Sequence, residues 1–508
     1  MRVNCCFGRA VALALLSVSV ASCGNPLSRD PKTIDASSLG AKAEADVRAF
    51  YAARNGQAAW DGKSRKALLA VLDDAPLHGL KRDLFLKGEL PKDGTERDVA
   101  LTSAALRYAS ALAEGYSDPK KVARIYTVPR NKVDVAAGLS KALADNQLAQ
   151  WFGSLAPQTE EYRALSDEFV RYLKLANQIG DTPPIGDGKA IKPGRSDARV
   201  PAIAAALTIN GYLPQQQSAG RTYTPAMAAA IRKVQADYGI KPDGVIGAGT
   251  IAALEKGPGD RARQIAVNME RLRWLDRNPP ETRIDVNTGG AFLEYWRAGT
   301  LRDRRNVVVG QPDWETPQLG SPLFQLVAHP YWRVPDSILN DELKDKSPQY
   351  LAEQNMEYRD GRLVQLPGPK NSLGEVKFDL KNDQAIYLHD TPAKALFSQD
   401  ERHRSHGCIR VHDAIGFAML IAQDEGVLEP FQKAMMKLDE QGQPQEGFVK
   451  LKDEIPVRLM YRTAFLDNGQ VKLVNDIYGW DDDVAYALGY VRRPPRAKQA
   501  RVGGDVGP

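Results

Sequence analysis

His389-Asp390-Thr391-Pro392 and, after a polar loop, Ser405-His406-Gly407-Cys408-Ile409-Arg410-Val411-His412 form the stretch on which the reading of this chain turns. The 508 residues include 6 histidines, and His389, His403, His406 and His412 all lie here, around one cysteine. The run Ala385 to Leu388 predicts a strand ending directly on His389, and a strand end aims a side chain with the rigidity that proton transfer needs. Gly407 lets the backbone turn without a Cβ ahead of Cys408. The amides of Gly407 and Cys408 are therefore candidates to face a developing oxyanion.

A thiol attacks a carbonyl as thiolate, and a free pKa near ~8.5 leaves only a few per cent ionised at neutral pH. An imidazole within reach corrects this by taking the proton and returning it to a departing amine. The expected arrangement has Cys408 as nucleophile and His389 as general base, with Ser405 and His406 orienting the pair by hydrogen bonds. Arg410 points to the same side of an extended segment as Cys408 and offers a two-bond fork to a substrate carboxylate. All of this requires the imidazole within reach of a sulfur that opens on a groove. A zinc site drawn from His403, His406, Cys408 and His412 has suitable ligand types. However, its histidines crowd a Ser/Gly-containing loop, no second cysteine pair exists, and no metal is expected. An inert buried cysteine leaves the histidines unexplained, and a redox thiol lacks a resolving cysteine.

Composition is that of an ordinary globular chain, 43% hydrophobic and 26% charged, of a length that suggests about three domains. With 68 basic and 63 acidic residues the net charge is +5, too mild to argue for nucleic acid, and no RNA-reading motif supports one. Arg2 and Arg9, the apolar run Ala10 to Val20, and Val20-Ala21-Ser22-Cys23 read as an export signal over 1–22 that is too short to span a bilayer. Val-Ala-Ser-Cys resembles a bacterial lipobox, which implies a lipidated Cys23 as the new N-terminus; plain secretory cleavage near Ala21 is the alternative. Of the cysteines Cys5, Cys6, Cys23 and Cys408, only Cys408 would then remain as a thiol, with no disulfide partner.

Residues 23–38 read as a tether, and 39–180 as a helical scaffold. Its apolar stripes are Leu68, Leu69, Val71 and Leu72; Leu101, Ala104, Ala105, Tyr108 and Leu112; and Tyr162, Leu165, Phe169 and Leu173. Asp98 or Thr102 is a candidate cap for the second stripe. Gly180 to Gly194 reads as a linker. Residues 195–256 form a three-helix unit with Gly211-Tyr212-Leu213 and Asp243-Gly244-Val245-Ile246-Gly247, which resembles a peptidoglycan-binding domain. Gly257-Pro258-Gly259 reads as a second hinge, and Ile265 to Leu275 as an amphipathic helix. Short β runs follow at Arg283 to Val286, Phe292 to Trp296, Asn306 to Val309, Phe324 to Val327, Lys377 to Leu380 and Ala385 to Leu388, with a helix at Ile415 to Ala422 and a closing strand at Val457 to Phe465. An insertion at about 331–374, helical over Ser337 to Glu353, is a candidate lid beside the site, with an inert elaboration as the alternative. Residues 471–508 read as an extension with a disordered tail.

The His-Asp-Thr-Pro…Ser-His-Gly-Cys-Ile-Arg-Val pattern is similar to the signature of L,D-transpeptidases with a YkuD-type catalytic domain. The likeness extends to Val308-Val309-Gly310, Thr316-Pro317, Pro330-Tyr331-Trp332 and Val334-Pro335. It implies a multidomain α+β protein of the large Gram-negative subfamily: helical scaffold, three-helix peptidoglycan-binding domain, and a β-rich, sandwich-like catalytic domain over 261–470 with an inserted cap. It further implies that Cys408 attacks the amide joining meso-diaminopimelate to terminal D-alanine in a tetrapeptide stem. A thioester results, which the diaminopimelate amine of a second stem resolves as a 3→3 cross-link. His389 matches the general base; Ser405, His406, Gly407 and Arg410 lie in the motif as supporting residues. No cofactor is implied. The expected partners are peptidoglycan stems as donor and acceptor, the membrane through the lipid, and cell-wall synthases. The expected location is the periplasm, on the outer membrane. Carboxypeptidase or exchange activity, lipoprotein-to-wall attachment, and a non-catalytic wall-binding tether are the alternatives.

Overall fold

A computed structural model describes residues 33–34, 39, 45–179, 182, 184–214 and 220–491. The expected signal segment, Cys23 and the tail past 491 lie outside the described residues. Part of the expected tether does not behave as one. Ile34 is buried, and its amide donates to the Gly56 carbonyl at 2.6 Å.

The N-terminal region is built from α1 (Ala45–Ala53), α2 (Gly62–Asp73), α3 (Gly94–Glu114), α4 (Pro119–Val122), α5 (Val135–Ala144), α6 (Leu148–Leu155) and α7 (Glu160–Ile179). The predicted stripes on α2, α3 and α7 supply its core: Leu68, Leu72, Leu101, Tyr108, Leu112, Leu165 and Phe169 are all buried. The cap of α3 is Asp93, whose carboxylate accepts the Glu96 amide at 2.9 Å, so neither Asp98 nor Thr102 serves that end. Both lie a turn or two inside the helix, where Asp98 takes the Tyr51 hydroxyl at 2.6 Å and Thr102 the Trp60 indole N–H at 2.8 Å.

Helices α8 (Val200–Ile209), α9 (Pro225–Asp237) and α10 (Ala248–Glu255) make the second unit. Its Asp-Gly-Val-Ile-Gly turn is tied to α9 by buried Gln235, which accepts the Gly244 amide at 2.9 Å and donates to the Val245 carbonyl at 3.0 Å. The expected linker is tied down as well. Ile191 exchanges both backbone hydrogen bonds with Ile246 at 3.0 Å, and the Ile185 amide donates to Glu255 at 2.9 Å.

Gly257-Pro258-Gly259 is not a hinge but the start of α11 (Pro258–Trp274), with Gly257 as the cap and Pro258 in the first turn, where its missing N–H costs nothing. Nor is α11 amphipathic. Arg261, Gln264, Asn268, Glu270, Arg271 and Arg273 are buried along with Ile265 and Met269, because α11 runs through the middle of the N-terminal half. Its polar side chains bind the surrounding elements instead of water. Arg273 pairs with Glu270 at 2.6 Å and donates to the Tyr162 hydroxyl at 2.8 Å, and Glu270 accepts the Ser117 amide at 2.6 Å. Arg261 reaches Tyr172 at 3.2 Å and Tyr212 at 3.3 Å, which joins scaffold to three-helix unit.

The β-rich half comprises β1 (Arg283–Asn287), β2 (Phe292–Arg297), β3 (Thr300–Gly310) and β4 (Gly320–Ala328), then β5 (Trp332–Arg333), β6 (Met356–Arg359) and β7 (Arg362–Gln365) in the insertion. After it come β8 (Val376–Leu380), β9 (Leu388–His389), β10 (His403–Ser405), β11 (Ile409–Val411) and β12 (Gly447–Met460). The large mixed sheet runs β10-β3-β11-β9-β8-β4-β12-β1-β2. Strand β3 pairs with β2 along Thr300 to Asn306 and with β11 along Val307 and Val308, so the sheet folds back on itself through that one strand. The predicted closing strand is divided: β12 ends at Met460, and β13 (Ala464–Asp467) pairs with β14 (Gln470–Leu473) in a separate hairpin. That hairpin and the expected C-terminal extension pack onto α11. Gln264 donates to the Thr463 and Val474 carbonyls at 2.9 and 2.7 Å.

The insertion holds the three-stranded sheet β5-β7-β6, a short helix α12 (Asp336–Ile338) running into a single π-helical turn, and α13 (Pro348–Glu353). Trp332, Val334, Ile338, Leu343, Leu363 and Leu373 give it an apolar core of its own.

Candidate active site

Strand alternation sorts the central sheet into two faces. Val376, Phe378, Ile386, Leu388, Ile409 and Val411 are buried in the apolar core, with Phe417 and Ile421 of α14 (Ala414–Asp424). Their neighbours in sequence face the other way. In register, Lys377 lies opposite His389, and His389 opposite Arg410. One step back along the same two strands the Ile409 amide donates to the Tyr387 carbonyl at 3.1 Å, which places Cys408 beside Tyr387. Lys377, Asp379, Tyr387, His389, Cys408 and Arg410 therefore share one face across three strands. His389 is the diagonal neighbour of Cys408, a relation with a backbone spacing of about 7–8 Å that long side chains span.

In this arrangement the thiol and imidazole are not bonded to each other. Both residues have 0% exposure. Cys408 Sγ donates to the Ala385 carbonyl at 3.7 Å, while Nδ1 and Nε2 of His389 and Nε of Arg410 are buried without any hydrogen-bond partner. Burial pushes the thiol up to about 11, against the pull of Tyr387, Lys377 and Arg410. Burial and then the Arg410 charge hold His389 well below its ordinary value. Both shifts favour a neutral thiol beside a neutral imidazole. Contrary to expectation the sulfur does not open on a groove: it has no exposed surface, and the Leu373 cluster of the insertion packs on Tyr387 beside it.

The other motif residues divide into support for the cysteine turn and attachments of the cover. Gly407 adopts φ 113°, a conformation that other residues rarely adopt. Ser405 Oγ accepts the Gly407 amide at 3.2 Å and donates to the Cys408 carbonyl at 2.6 Å. Ser405 therefore fixes the turn rather than the thiol–imidazole pair, and the Gly407 amide, expected to face an oxyanion, is already engaged. Thr316 Oγ1 donates to the Gly407 carbonyl at 2.8 Å and accepts the Gly310 amide at 2.9 Å. His406, expected to orient the pair, meets Glu342 of the insertion at 2.7 Å and lies edge-on to Trp314. Asp390 accepts the Glu375 amide at 3.1 Å where the insertion rejoins the sheet; a Cβ on Gly374 would come within 2.3 Å of that carboxylate.

The four ligands of the zinc reading are dispersed. His403 is bonded to Glu401 at 2.5 Å and to the Thr288 carbonyl at 2.8 Å, His406 turns to Glu342, and His412 packs on Phe397. Lys377, Tyr387 and Glu342 are the side chains that the motif reading missed. The first two were accessible to it: Lys377-Phe378-Asp379-Leu380 alternates polar and apolar, and Tyr387 stands two residues before His389 on a strand. Nothing local marks Glu342.

Residues 281–425 match the model of the L,D-transpeptidase catalytic domain. The chain carries a YkuD-type L,D-transpeptidase domain. Residues 45–169 match a scaffold domain, and 196–254 a "Putative peptidoglycan binding domain". A "Putative L,D-transpeptidase" of Haemophilus influenzae is 29% identical over 251 residues, 44% of this chain and 49% of that protein. The matched region thus spans about half the length of that relative. Among solved structures, an L,D-transpeptidase from Stackebrandtia nassauensis is 13% identical, with a TM-score of 0.21 over 57% of this chain and 100% of the other. One from Xylanimonas cellulosilytica is 15% identical, with a TM-score of 0.17 over 54% and 98%.

Proposed function

We propose that the protein joins peptidoglycan stems by L,D-transpeptidation through a Cys408 thioester. The observation that carries this reading is the register that sets Lys377, His389 and Arg410 side by side, with Cys408 placed next to them beside Tyr387. His389 takes the thiol proton as sulfur bonds to the carbonyl carbon between diaminopimelate and D-alanine. The C–N bond breaks, and the same proton leaves with the D-alanine amine. The amine of a second stem then attacks the thioester, and sulfur departs as thiol with the proton that this amine gives up. The product is a 3→3 cross-link. No external energy source is needed, because the thioester retains the energy of the peptide bond.

His389 suits the first step because it is neutral, and a neutral imidazole accepts a proton. The raised thiol is the harder half. Displacing the cover lets water or substrate carry part of the charge, which lowers the cost of the thiolate. Arg410, short of partners for its Nε, is the group to receive the stem carboxylate. The export signal, lipid on Cys23, a periplasmic site on the outer membrane and cooperation with cell-wall synthases belong to the same proposal. Mass spectrometry of the full chain mixed with a disaccharide-tetrapeptide tests it. A covalent adduct that has lost D-alanine, and cross-linked dimers in digested sacculi, are expected. Trimmed stems without dimers would make it a carboxypeptidase, and an unmodified protein that still binds sacculi would make it a tether.

A further inference from the structure

On the strand beside His389, Lys377 is held from two sides. Its Nζ sits 4.3 Å above the Tyr387 ring and 2.7 Å from Asp379. Asp379 is fixed in turn by Gln325, whose amide donates to its other oxygen at 2.7 Å. Gln325, Asp379 and Lys377 thus form a short polar line across β4 and β8, ending at an aromatic ring that stands beside the sulfur. A lysine on a solvated strand moves freely, whereas this one has a ring beneath it and a carboxylate beside it. That pairing orients the ring as much as the charge, because a cation over an aromatic face favours one tilt of the ring.

We propose that Lys377 is a positioning residue for the cysteine chemistry, holding the Tyr387 ring against the thiol and fixing a positive charge across the sheet from His389. The inference rests on Cys408 being the nucleophile of the proposed reaction. A fixed cation lowers the cost of the thiolate and keeps the resting imidazole neutral and able to accept a proton, while raising the cost of the imidazolium that follows, so its gain is on the sulfur side. Asp379 sets how much of that charge is felt. The charged and titratable groups around the thiol are Tyr387 just before β9, His389 on β9, Arg410 on β11, Lys377 and Asp379 on β8, Asp390 with its partner Lys394, and His406 with Glu342 from the insertion.

The test is alkylation of Cys408 in the full chain by iodoacetamide between about pH 6 and 9, read by mass spectrometry of the Cys408 peptide. Lys377→Met should slow it about three- to tenfold and move the profile to higher pH, and Asp379→Asn should speed it and move the profile to lower pH. Lys377→Arg should stay within about twofold of the parent. Single-turnover acylation by the tetrapeptide should follow the same order in rate with little change in donor affinity. A merely structural role would shift Lys377→Met and Asp379→Asn in the same direction, and that result, or no shift in either, overturns the inference. Should Lys377→Met fail to fold, the opposite sign expected of Asp379→Asn still decides it. Alkylation does not depend on which donor the enzyme uses, so failed transpeptidation with an intact alkylation order would sink only the proposed reaction.

Discussion

Two buried polar clusters in this protein are handled in opposite ways. Along α11 each buried polar side chain finds at least one partner, although Arg261 Nε, Gln264 Oε1 and Arg271 Nε stay unpaired: Glu270 takes Arg273, Ser117 and Trp274, and Asn268 exchanges bonds with Thr463. On the face that carries Lys377 and Arg410, His389 is as deeply buried and neither of its ring nitrogens has a hydrogen-bond partner. Satisfied polar groups in an interior cost little and fix how elements dock. An unsatisfied one costs about 1–3 kcal/mol and persists where something other than stability maintains it. The difference separates the helix that organises the architecture from the face on which the proposed chemistry is placed.

The largest expected effect removes the sulfur. Cys408→Ala should abolish adduct formation with the tetrapeptide while changing stability by less than about 1.5 kcal/mol, since the thiol gives up only a weak hydrogen bond. Next comes a matched pair of substitutions. His389→Ala should lower the acylation rate by about 10²–10⁴. Its stability cost should be limited to lost packing, because no hydrogen bond is broken. Glu270→Ala should instead cost about 3–5 kcal/mol by leaving Arg273 buried and uncompensated, with the per-molecule activity of the folded fraction preserved. Urea melts and muropeptide assays on the two proteins test the comparison directly. A large stability loss in His389→Ala would mean that the imidazole is structural after all.

The same contrast explains what sequence made legible. The proposed catalytic motif is local: a strand end, a glycine turn and a cysteine lie within some twenty residues, and the register of β9 and β11 sets His389 against Arg410, two residues past the cysteine. The helical stripes were legible for the same reason, since the 3.6-residue period is local physics. The character of α11 was not, because Arg261, Glu270 and Arg273 look like a solvated face until Tyr172, Tyr162 and Ser117 arrive from more than eighty residues away. Likewise β3, predicted only over Asn306 to Val309, begins at Thr300 because β2 supplies partners to a stretch rich in arginine. Ser405 and His406 were expected beside the reacting pair on spacing alone. Spacing does not reveal that a carbonyl and a cover would claim them first.

Acidity gives a further, moderate effect. Burial holds His389 well below the ordinary imidazole value of 6.5 in the folded protein, so below about pH 6.5 the unfolded chain binds a proton that the folded one refuses. Stability contributed by this group is therefore complete above that pH and lost as pH falls below it. The thiol works in reverse. With burial pushing the folded thiol up to about 11 from an ordinary 9.0, stability is complete below about pH 9 and falls as pH rises towards 11. Thermal melts of the parent against His389→Asn should diverge on the acid side, and against Cys408→Ala on the alkaline side. Subtracting the variants matters because half-buried His78, lowered to about 4, also titrates on the acid side.

The smallest expected effect concerns the cover. The His406 imidazole and the Glu342 carboxylate meet at 2.7 Å with the carboxylate side chain 51% exposed, so the contact contributes no more than a surface pair, about 0.2–1 kcal/mol. A contact of that size does not hold the fold together, but it does shift a balance between a closed and an open cover by up to about fivefold. Glu342→Gln should accordingly leave the melting temperature within a degree or two, about the resolution of a change this small in a protein of this length. It should raise the rate at which iodoacetamide reaches Cys408 by about two- to fivefold. High salt should reduce the difference between parent and variant, because exposed pairs are screened. An alkylation rate that ignores Glu342 would assign closure to the apolar contact between the Leu373 cluster and Tyr387 alone, and Leu373→Ala would then be the variant that opens the site.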